Sequence, residues 1–221
     1  MSCVKEKYFT IISAAFLFSV FVRFSIKDRE VIKASEIHDI QNINFQFFGV
    51  FKENEIPGEE QVKAILDDSR YILEVTPTGK LRLIGQNICQ QVKVNKCIKG
   101  EQPSGDIIWI LSGNGFWYKE ETDTIYNWGK TNIMSDNNSY IVILNALAYK
   151  NTVYYYNEFL PGALMVSREE QHSYTDVTRK YNYSQLEQFE FFAENESALS
   201  KMYNLKNYVF SYLNSNYNYQ K

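Results

Sequence analysis

The sequence has few of the side chains that metal sites and nucleophilic enzymes require. It contains two histidines, His38 and His172, and neither lies in an HxxxH or HExxH pattern. The three cysteines lack CxxC spacing, and no GxSxG, P-loop or GxGxxG motif occurs. Because metal sites and phosphate-binding loops need such spacings, we expect no metal, no cofactor and no catalytic activity.

The chain also lacks an excess of basic charge. It carries 23 lysine and arginine residues against 26 aspartate and glutamate residues, which gives a formal net charge of −3. Proteins that bind nucleic acids need a basic surface to neutralise phosphates. We therefore expect no nucleic acid partner.

The sequence contains four pairs of adjacent acidic residues. A glycosidase needs two acids that face each other across a cleft, and sequence does not show whether any pair does so. Adjacent acids are more often solvated surface charge, so a hydrolase with scattered carboxylates stays an alternative. The pairs are Glu59–Glu60, Asp67–Asp68, Glu120–Glu121 and Glu169–Glu170.

Proline and glycine are scarce, at 4 and 10 of 221 residues. This composition argues against a disordered stalk or a low-complexity linker, and the length predicts one globular domain after the N-terminal segment. Aromatic residues are abundant instead, at 16% of the chain. Tyrosine in particular favours half-exposed strands and polar-rimmed surfaces.

The first 27 residues predict a membrane anchor. Residues 8–22 carry no charge, and as a helix they span about 22 Å, or roughly 28 Å when residues 23–26 are added. A cleaved signal peptide needs a small-x-small site after the apolar run, and residues 21–24 have none. A helix buried in a soluble core needs a polar face, which is absent. An uncleaved signal anchor therefore fits best among the three.

The orientation of this anchor is set by two opposing arguments. The larger basic count on the C-terminal flank favours a cytoplasmic domain. A basic N-terminus followed directly by an apolar run is, however, the usual arrangement for export. We expect a single-pass cell-membrane protein with its C-terminal domain outside the cytoplasm. The flanking charges are Lys5 and Lys7 on one side and Arg23, Lys27, Arg29 and Lys33 on the other.

Beyond the anchor, periodicity predicts a stem and a β-rich domain. Residues 28–57 are expected to form a juxtamembrane stem, with a short strand or packed segment at 42–51, and residues 58–221 the extracytoplasmic domain. Amphipathic spacing predicts helices over 58–70, 183–192 and 197–213. Alternation and short apolar runs predict strands over 71–75, 81–84, 88–98, 106–111, 140–149, 152–159 and 163–167.

These elements indicate an α+β protein that is mainly β. Short antiparallel strands need protected edges, and a small closed barrel supplies that protection. We therefore expect an N-terminal transmembrane helix followed by a small antiparallel, OB-like β-barrel with C-terminal helices. A β-sandwich is the second choice.

Cys89 and Cys97 lie within one predicted strand. Ile88, Val92, Val94 and Ile98 should share one face of it, with both cysteines on the other. Eight residues of continuous strand separate two Cα atoms by about 26 Å, whereas a disulfide needs about 7 Å or less. A Cys89–Cys97 disulfide therefore requires the strand to break, and free thiols are the alternative.

One segment of about 50 residues carries a recognisable pattern of strand, hairpin, strand, Lys-Gly, loop and strand. Its matching residues are Tyr71, Ile72, Val75, Val92, Val94, Ile98, Lys99, Gly100, Gly105, Asp106 and Ile108. The pattern resembles a module of exported and membrane-anchored bacterial proteins with an OB-like barrel, distantly similar to the netrin/tissue-inhibitor barrel. The resemblance implies a fold and a location but no reaction. The chain lacks the N-terminal cysteine wedge of the eukaryotic inhibitors, so no inhibitory activity carries over.

Two aromatic clusters are candidate binding surfaces. Exposed aromatic rings beside Asn and Asp suit sugar stacking or a protein partner, although alternate residues of a strand should face the core. That alternation is the favoured interpretation for residues 154–156. The stronger candidates for binding are Phe116, Trp117, Tyr118, Tyr126 and Trp128.

The sequence thus favours a membrane-anchored extracytoplasmic domain without catalytic activity that binds an envelope protein or polysaccharide. A cell-wall or carbohydrate-binding module that uses the exposed aromatics is one alternative. The hydrolase is another, and it predicts a deep cleft lined by at least two carboxylates with shifted pKa values.

Overall fold

The computed structural model describes residues 40–220, apart from 85, 102, 104, 112–114, 129–130, 137, 149–152, 157–159, 161 and 167–178. The predicted anchor over 1–27 and the first part of the predicted stem lie outside the described residues. Neither described helix combines the length and apolar character that crossing a bilayer requires.

The described chain forms ten strands and two α-helices. The helices are α1, Glu59–Asp68, and α2, Glu196–Tyr217, and short 3-10 turns occur at Ile40–Asn42, Glu53–Glu55, Glu120–Thr122 and Tyr183–Gln185. The strands are β1 Asn44–Phe47, β2 Tyr71–Ile84, β3 Asn87–Lys99, β4 Ile107–Leu111, β5 Phe116–Lys119, β6 Thr124–Asn127, β7 Tyr140–Ala148, β8 Val153–Tyr156, β9 Ala163–Met165 and β10 Tyr181–Asn182.

Five of the strands close into a barrel. Around the ring, β2 pairs with β3, β3 with β4, β4 with β8, β8 with β7, and β7 with β2. The β4–β8 pair is parallel and the other four pairs are antiparallel. This closed five-stranded ring is compatible with the predicted OB-like barrel, and it replaces the β-sandwich alternative.

The barrel interior and its helix-covered face follow from alternation along β2 and β7. Leu73 and Val75 of β2 point inward with Val142 of β7, whereas Ile72 and Ile141 point outward. The outward residues pack against α1 and α2, which lie side by side. Because side chains alternate across a strand, both faces of this part of the sheet are buried.

Both long helices are confirmed and have clear starts. The Asn195 side chain caps α2 by accepting a 2.8 Å hydrogen bond from the Ala198 N–H, which satisfies one of the unpaired donors of the first turn. In α1, Glu59 and Glu60 lie in the first turn, where acidic side chains favour the helix dipole.

The predicted helix over 183–192 is wrong. The chain makes a 3-10 turn at Tyr183–Gln185, continues in turns to residue 188, and then forms bridges from Phe191 to Thr131 and from Ala193 to Phe51. The Asn132 amide donates to the carbonyls of Leu186 and Phe189, each at 2.8 Å. Consecutive aromatic side chains at 191 and 192 enter two different cores, which an extended chain allows and a helix does not.

A bend replaces the turn predicted between residues 76 and 79. The β2 strand runs unbroken to Ile84, with a register shift between Pro77 and Leu81 and a positive φ of 75° at Gly79. The hairpin of β2 and β3 therefore continues beyond the barrel. At its far end, Asn87 pairs with Trp117 of β5.

Beyond that contact, four strands form what we call the extension sheet, in the order β5, β6, β1, β10. The β1 strand lies within the segment predicted as a stem, and it pairs in parallel with β6. Phe45, Phe47 and Ile125 on one face of this sheet form a core with Ile88 and Phe192. Residues 44–47 are thus part of the folded domain.

Candidate functional site

The predicted aromatic residues separate onto two faces of the extension sheet. Phe116 is buried, and its ring lies 6.3 Å from that of Phe45 in the core. Tyr118, two residues along β5, packs partly against the same core. Phe116 and Tyr118 therefore lie on the core side of the extension sheet.

Tyr118 also has a fixed local partner. Its hydroxyl donates a 2.8 Å hydrogen bond to Asp123 Oδ1, and Asp123 lies in the left-handed turn that joins β5 to β6. Burial, and then this hydrogen bond, raise the pKa of Tyr118 to about 12. The hydroxyl therefore stays protonated and holds the turn.

The other three candidates, Trp117, Tyr126 and Trp128, lie together on the opposite face. Trp117 and Tyr126 are directly opposed across β5 and β6, with ring centroids 5.4 Å apart. The Trp128 N–H donates to the Gly115 carbonyl at 2.6 Å, which continues the ladder by one step. Period-2 alternation thus separates these rings from Phe116.

A fourth ring, Phe48, completes this surface. It follows β1 and stacks between Tyr126, at 5.0 Å, and Trp128, at 4.6 Å. Phe48 is not among the binding residues predicted from the sequence, although alternation along Phe45 and Phe47, which are buried, places the side chain of residue 48 outward. We call Trp117, Tyr126, Phe48 and Trp128 the aromatic face.

Exposing the aromatic face to water is unfavourable in free energy. Phe48 is 49% exposed and Trp128 is 48% exposed. If each ring leaves on the order of 100 Å² of apolar surface in water, covering it would contribute roughly 2–3 kcal/mol per ring. The buried indole N–H of Trp117, moreover, has no acceptor among the described residues, and an unpaired buried donor costs roughly 1–3 kcal/mol.

An open depression adjoins this face. Its described lining consists of Trp117, Trp128, Gln86 and Asn87, and its volume is about 460 Å³. The Tyr118 N–H donates to the Gln86 carbonyl at 2.9 Å, and this bond holds the tip of the β2–β3 hairpin against β5. The two amide side chains are thereby placed beside the two indole rings.

The possible disulfide does not form, and both thiols are free. Cys89 and Cys97 lie on the same unbroken strand, so they remain too far apart for a bond. Cys89 is fully buried beside Leu111 and Val153, and burial raises the pKa of its thiol to about 11. These cysteines have no place in the candidate site.

The two cysteines also face different cores, which corrects the predicted alternation of β3. The register shifts between the pairs Glu74–Lys96 and Val75–Val94, so Asn95 is the extra residue of a bulge. After the bulge, Cys97 packs with the barrel interior and Ile98 with the helices. A β-bulge reverses the facing of every residue that follows it.

The tyrosine triplet at 154–156 follows the favoured interpretation. Tyr154 lies inside the barrel and makes an edge-to-face contact with Tyr71 at 5.4 Å, and Tyr156 packs partly against the same core. Tyr155 between them is 37% exposed. Tyr155 therefore points outward, whereas Tyr154 and Tyr156 contribute to the core.

The acidic pairs are solvent-exposed where the structure describes them, at Glu59–Glu60, Asp67–Asp68 and Glu120–Glu121. Glu169–Glu170, His38 and His172 lie outside the described residues. A separate cleft of about 240 Å³ between the barrel and the extension sheet is lined in part by Asp136, Glu187 and Lys80. No group of three metal-ligating side chains occurs within the described ranges.

The residues of the resemblance pattern have structural roles. Lys99 Nζ donates to the carbonyls of Leu66 and Asp67, at 2.9 and 2.6 Å, and so caps the C-terminal end of α1. Gly100 has a φ of 98°, and a Cβ there would collide with the Arg70 carbonyl and lie 2.8 Å from the Tyr71 ring. The contacts of Lys99 and Gly100 thus hold the C-terminal end of α1 against the barrel.

Comparison with known proteins adds no identification. No protein-family model matches the chain, and no curated protein matches it. Inference about function therefore rests on the aromatic face and on the N-terminal sequence.

Proposed function

We propose that the protein is a non-catalytic binding domain that captures a component of the cell envelope on its aromatic face. The observation that supports this most directly is the stack of Phe48 between Tyr126 and Trp128, with two of these rings about half exposed. Exposed aromatic clusters of this kind mark interaction sites more often than they serve folding.

The same proposal includes a membrane tether. Residues 1–27 act as an uncleaved signal anchor, and the barrel domain lies on the extracytoplasmic side. The support is the uncharged run over 8–22 and the basic residues before it. A tethered domain raises its own effective concentration at the envelope, so the aromatic face can act with a modest affinity.

We further propose that the barrel belongs to the netrin/tissue-inhibitor-like class. The three strands β2, β3 and β4 span the segment that carries the resemblance, and they are consecutive members of the closed ring. The Lys99 and Gly100 contacts with the end of α1 give that pattern a structural reason. The resemblance pattern therefore supports the class of barrel, and the ligand is proposed from the aromatic face.

The experiment uses the full chain in detergent and lipid-extracted envelope fragments from the cells that make it. Co-sedimentation should fall by roughly tenfold or more in the double variant Phe48→Ser/Trp128→Ser, because both exposed anchors of the face are removed. The matched control is Ile107→Ser/Tyr155→Ser, which removes two exposed apolar side chains of the barrel. Equal binding by both variants and the parent protein would overturn the proposal.

The tether is tested separately. A reporter that is active only outside the cytoplasm is fused after Lys221, and the fusion is expressed in intact cells. We expect activity, and we expect the protein to stay with the membrane after a high-salt wash. An inactive reporter would show that the flanking charges set the opposite orientation.

A further inference from the structure

The two ends of the aromatic series meet at one place. From ring to ring the series runs Trp117, Tyr126, Phe48, Trp128. The two contacts of Phe48 are stacked, at interplanar angles of 29° and 23°, and the contact between Trp117 and Tyr126 is tilted at 34°. The two end tryptophans each have one ring neighbour in the series, and both border the open depression.

The depression also supplies polar groups of one kind. Gln86 and Asn87 complete its described lining, and within the described part of the chain neither amide group makes a hydrogen bond. Each amide offers two N–H donors and one carbonyl acceptor. Paired donors and acceptors beside an apolar ring match the hydroxyl edge and the C–H face of a pyranose.

The charge and shape of the depression limit the class of ligand that it can bind. None of the four described lining residues is ionisable, so these four residues offer no counter-charge to a phosphate, a uronate or a basic peptide. The volume of about 460 Å³ lies in the usual range of small-ligand sites. Since the depression is open to solvent, it suits internal units of a chain and not an enclosed single sugar.

The site is also pre-organised. The pairing of Asn87 with Trp117 and the Gln86–Tyr118 backbone hydrogen bond fix the hairpin tip, and the stack on Phe48 fixes Trp128. Rings and backbone that are held in place before binding lose little conformational freedom when a ligand arrives.

We infer that the depression between Trp117 and Trp128 binds a neutral polysaccharide, with sugar rings against the two indoles and hydroxyl groups on the Gln86 and Asn87 amides. This inference rests on the proposed function and names its ligand class. A protein partner on the same face is the competing outcome.

The test measures binding of the full chain in detergent to two kinds of probe. One is the polysaccharide fraction of protease-treated envelopes, and the other is a panel of neutral hexasaccharides: β-1,4-linked glucose, β-1,4-linked N-acetylglucosamine and α-1,4-linked glucose. Tryptophan fluorescence and calorimetry report binding. We expect the polysaccharide fraction to bind, with affinity reduced roughly tenfold or more in Trp117→Ala and in Trp128→Ala.

The amides give a second variant that keeps the shape of the site. Gln86→Glu/Asn87→Asp removes the amide donors and adds charge, and it should weaken polysaccharide binding roughly tenfold with an unchanged melting temperature. Tyr155→Ser is the control for an exposed ring elsewhere, and it should bind as the parent protein does. Unaltered polysaccharide affinity in the tryptophan variants would overturn the inference.

The two proposals fail in distinguishable ways. If envelope fragments bind through Phe48 and Trp128 but protease treatment abolishes that binding, the partner is a protein, and the polysaccharide inference is wrong while the proposed function stands. If Phe48→Ser/Trp128→Ser binds whole fragments like the parent protein, both proposals are wrong.

Discussion

The barrel and the extension sheet both contain many apolar residues, but they differ in how many of their faces are buried. In the barrel, β2 and β7 bury both faces, one against the interior and one against α1 and α2. In the extension sheet, one face packs on the core of Phe45 and Phe192, and the other presents the aromatic face to solvent. The first arrangement suits folding, and the second leaves a surface available for binding.

This difference predicts where substitutions act. Changes in the barrel and its helices should lower the free energy of unfolding, whereas changes on the aromatic face should alter binding and leave stability nearly unchanged. The predictions below run from the largest expected effect on stability to the smallest.

The largest effect is expected at the buried ion pair of Lys206 and Glu190. Their charged atoms are 2.6 Å apart, both side chains are almost fully buried, and Glu190 also accepts a 2.7 Å bond from the Met165 N–H. Lys206→Met leaves a buried carboxylate without its cation, so unfolding in urea should become easier by about 3–5 kcal/mol.

The control for that pair is the double variant Lys206→Met/Glu190→Gln. Removing both charges should recover much of the loss, because the glutamine is neutral and can still accept from Met165. If the single and double variants are equally destabilised, the charge pairing is not the reason for the effect.

The next effect is expected at Gly100, where α1 meets the barrel. Alanine there combines a positive φ with a collision against the Arg70 carbonyl, so Gly100→Ala should destabilise by about 2 kcal/mol or more. Gly105→Ala is the matched control, because Gly105 also has a positive φ but no atom within 4 Å of the added Cβ. Thermal melting that shows equal losses for both would attribute the effect to backbone conformation alone.

A third prediction concerns alkaline pH. Burial raises the pKa of Cys89 to about 11, and it also raises the pKa values of Tyr156 and Tyr183 above their ordinary value. The unfolded chain then loses protons at a lower pH than the folded chain does, so stability is fully present below about pH 9 and falls as pH rises above it. Urea midpoints measured from pH 7 to 11 should decrease, and a flat profile would contradict this.

The two thiols should differ in reactivity without a change in stability. Cys89 is inaccessible and its pKa is raised to about 11, while Cys97 is only partly buried. Because the thiolate is the reactive form, a maleimide should label Cys97 in the folded protein well before Cys89. In a Cys3→Ser background, which removes the third thiol of the chain, Cys97→Ser should abolish the early labelling, and early labelling that persists would contradict the assignment to Cys97.

The sequence predicted what local patterns determine. Apolar spacing located α1 and α2, and alternation or short apolar runs located the barrel strands, because each of these elements buries at least one face. The same alternation rule correctly separated Tyr155 from its neighbours. The presence of aromatic residues beside Asn and Asp made Trp117, Tyr126 and Trp128 candidates, although it grouped them with Phe116 and Tyr118 on the core side of the sheet.

The rest depends on contacts between distant residues. The bend at residues 77–81 resembles a turn locally, yet β3 continues to pair with both sides of it. The bulge at Asn95 is set by the partner strand, and the non-helical path of residues 186–193 is set by Asn132 and by bridges to residues 51 and 131. Phe48 joined the aromatic face only because β1 pairs with β6, some 80 residues away.

We expect the aromatic face to be covered when the protein binds, and tryptophan quenching measures this coverage. The chain has three tryptophans, so the fluorescence of a Trp109→Phe variant comes from Trp117 and Trp128 alone. Acrylamide quenching of this variant should fall when saturating envelope fragments are added. Unchanged quenching in protein that has bound the fragments would place the binding surface elsewhere and contradict the account.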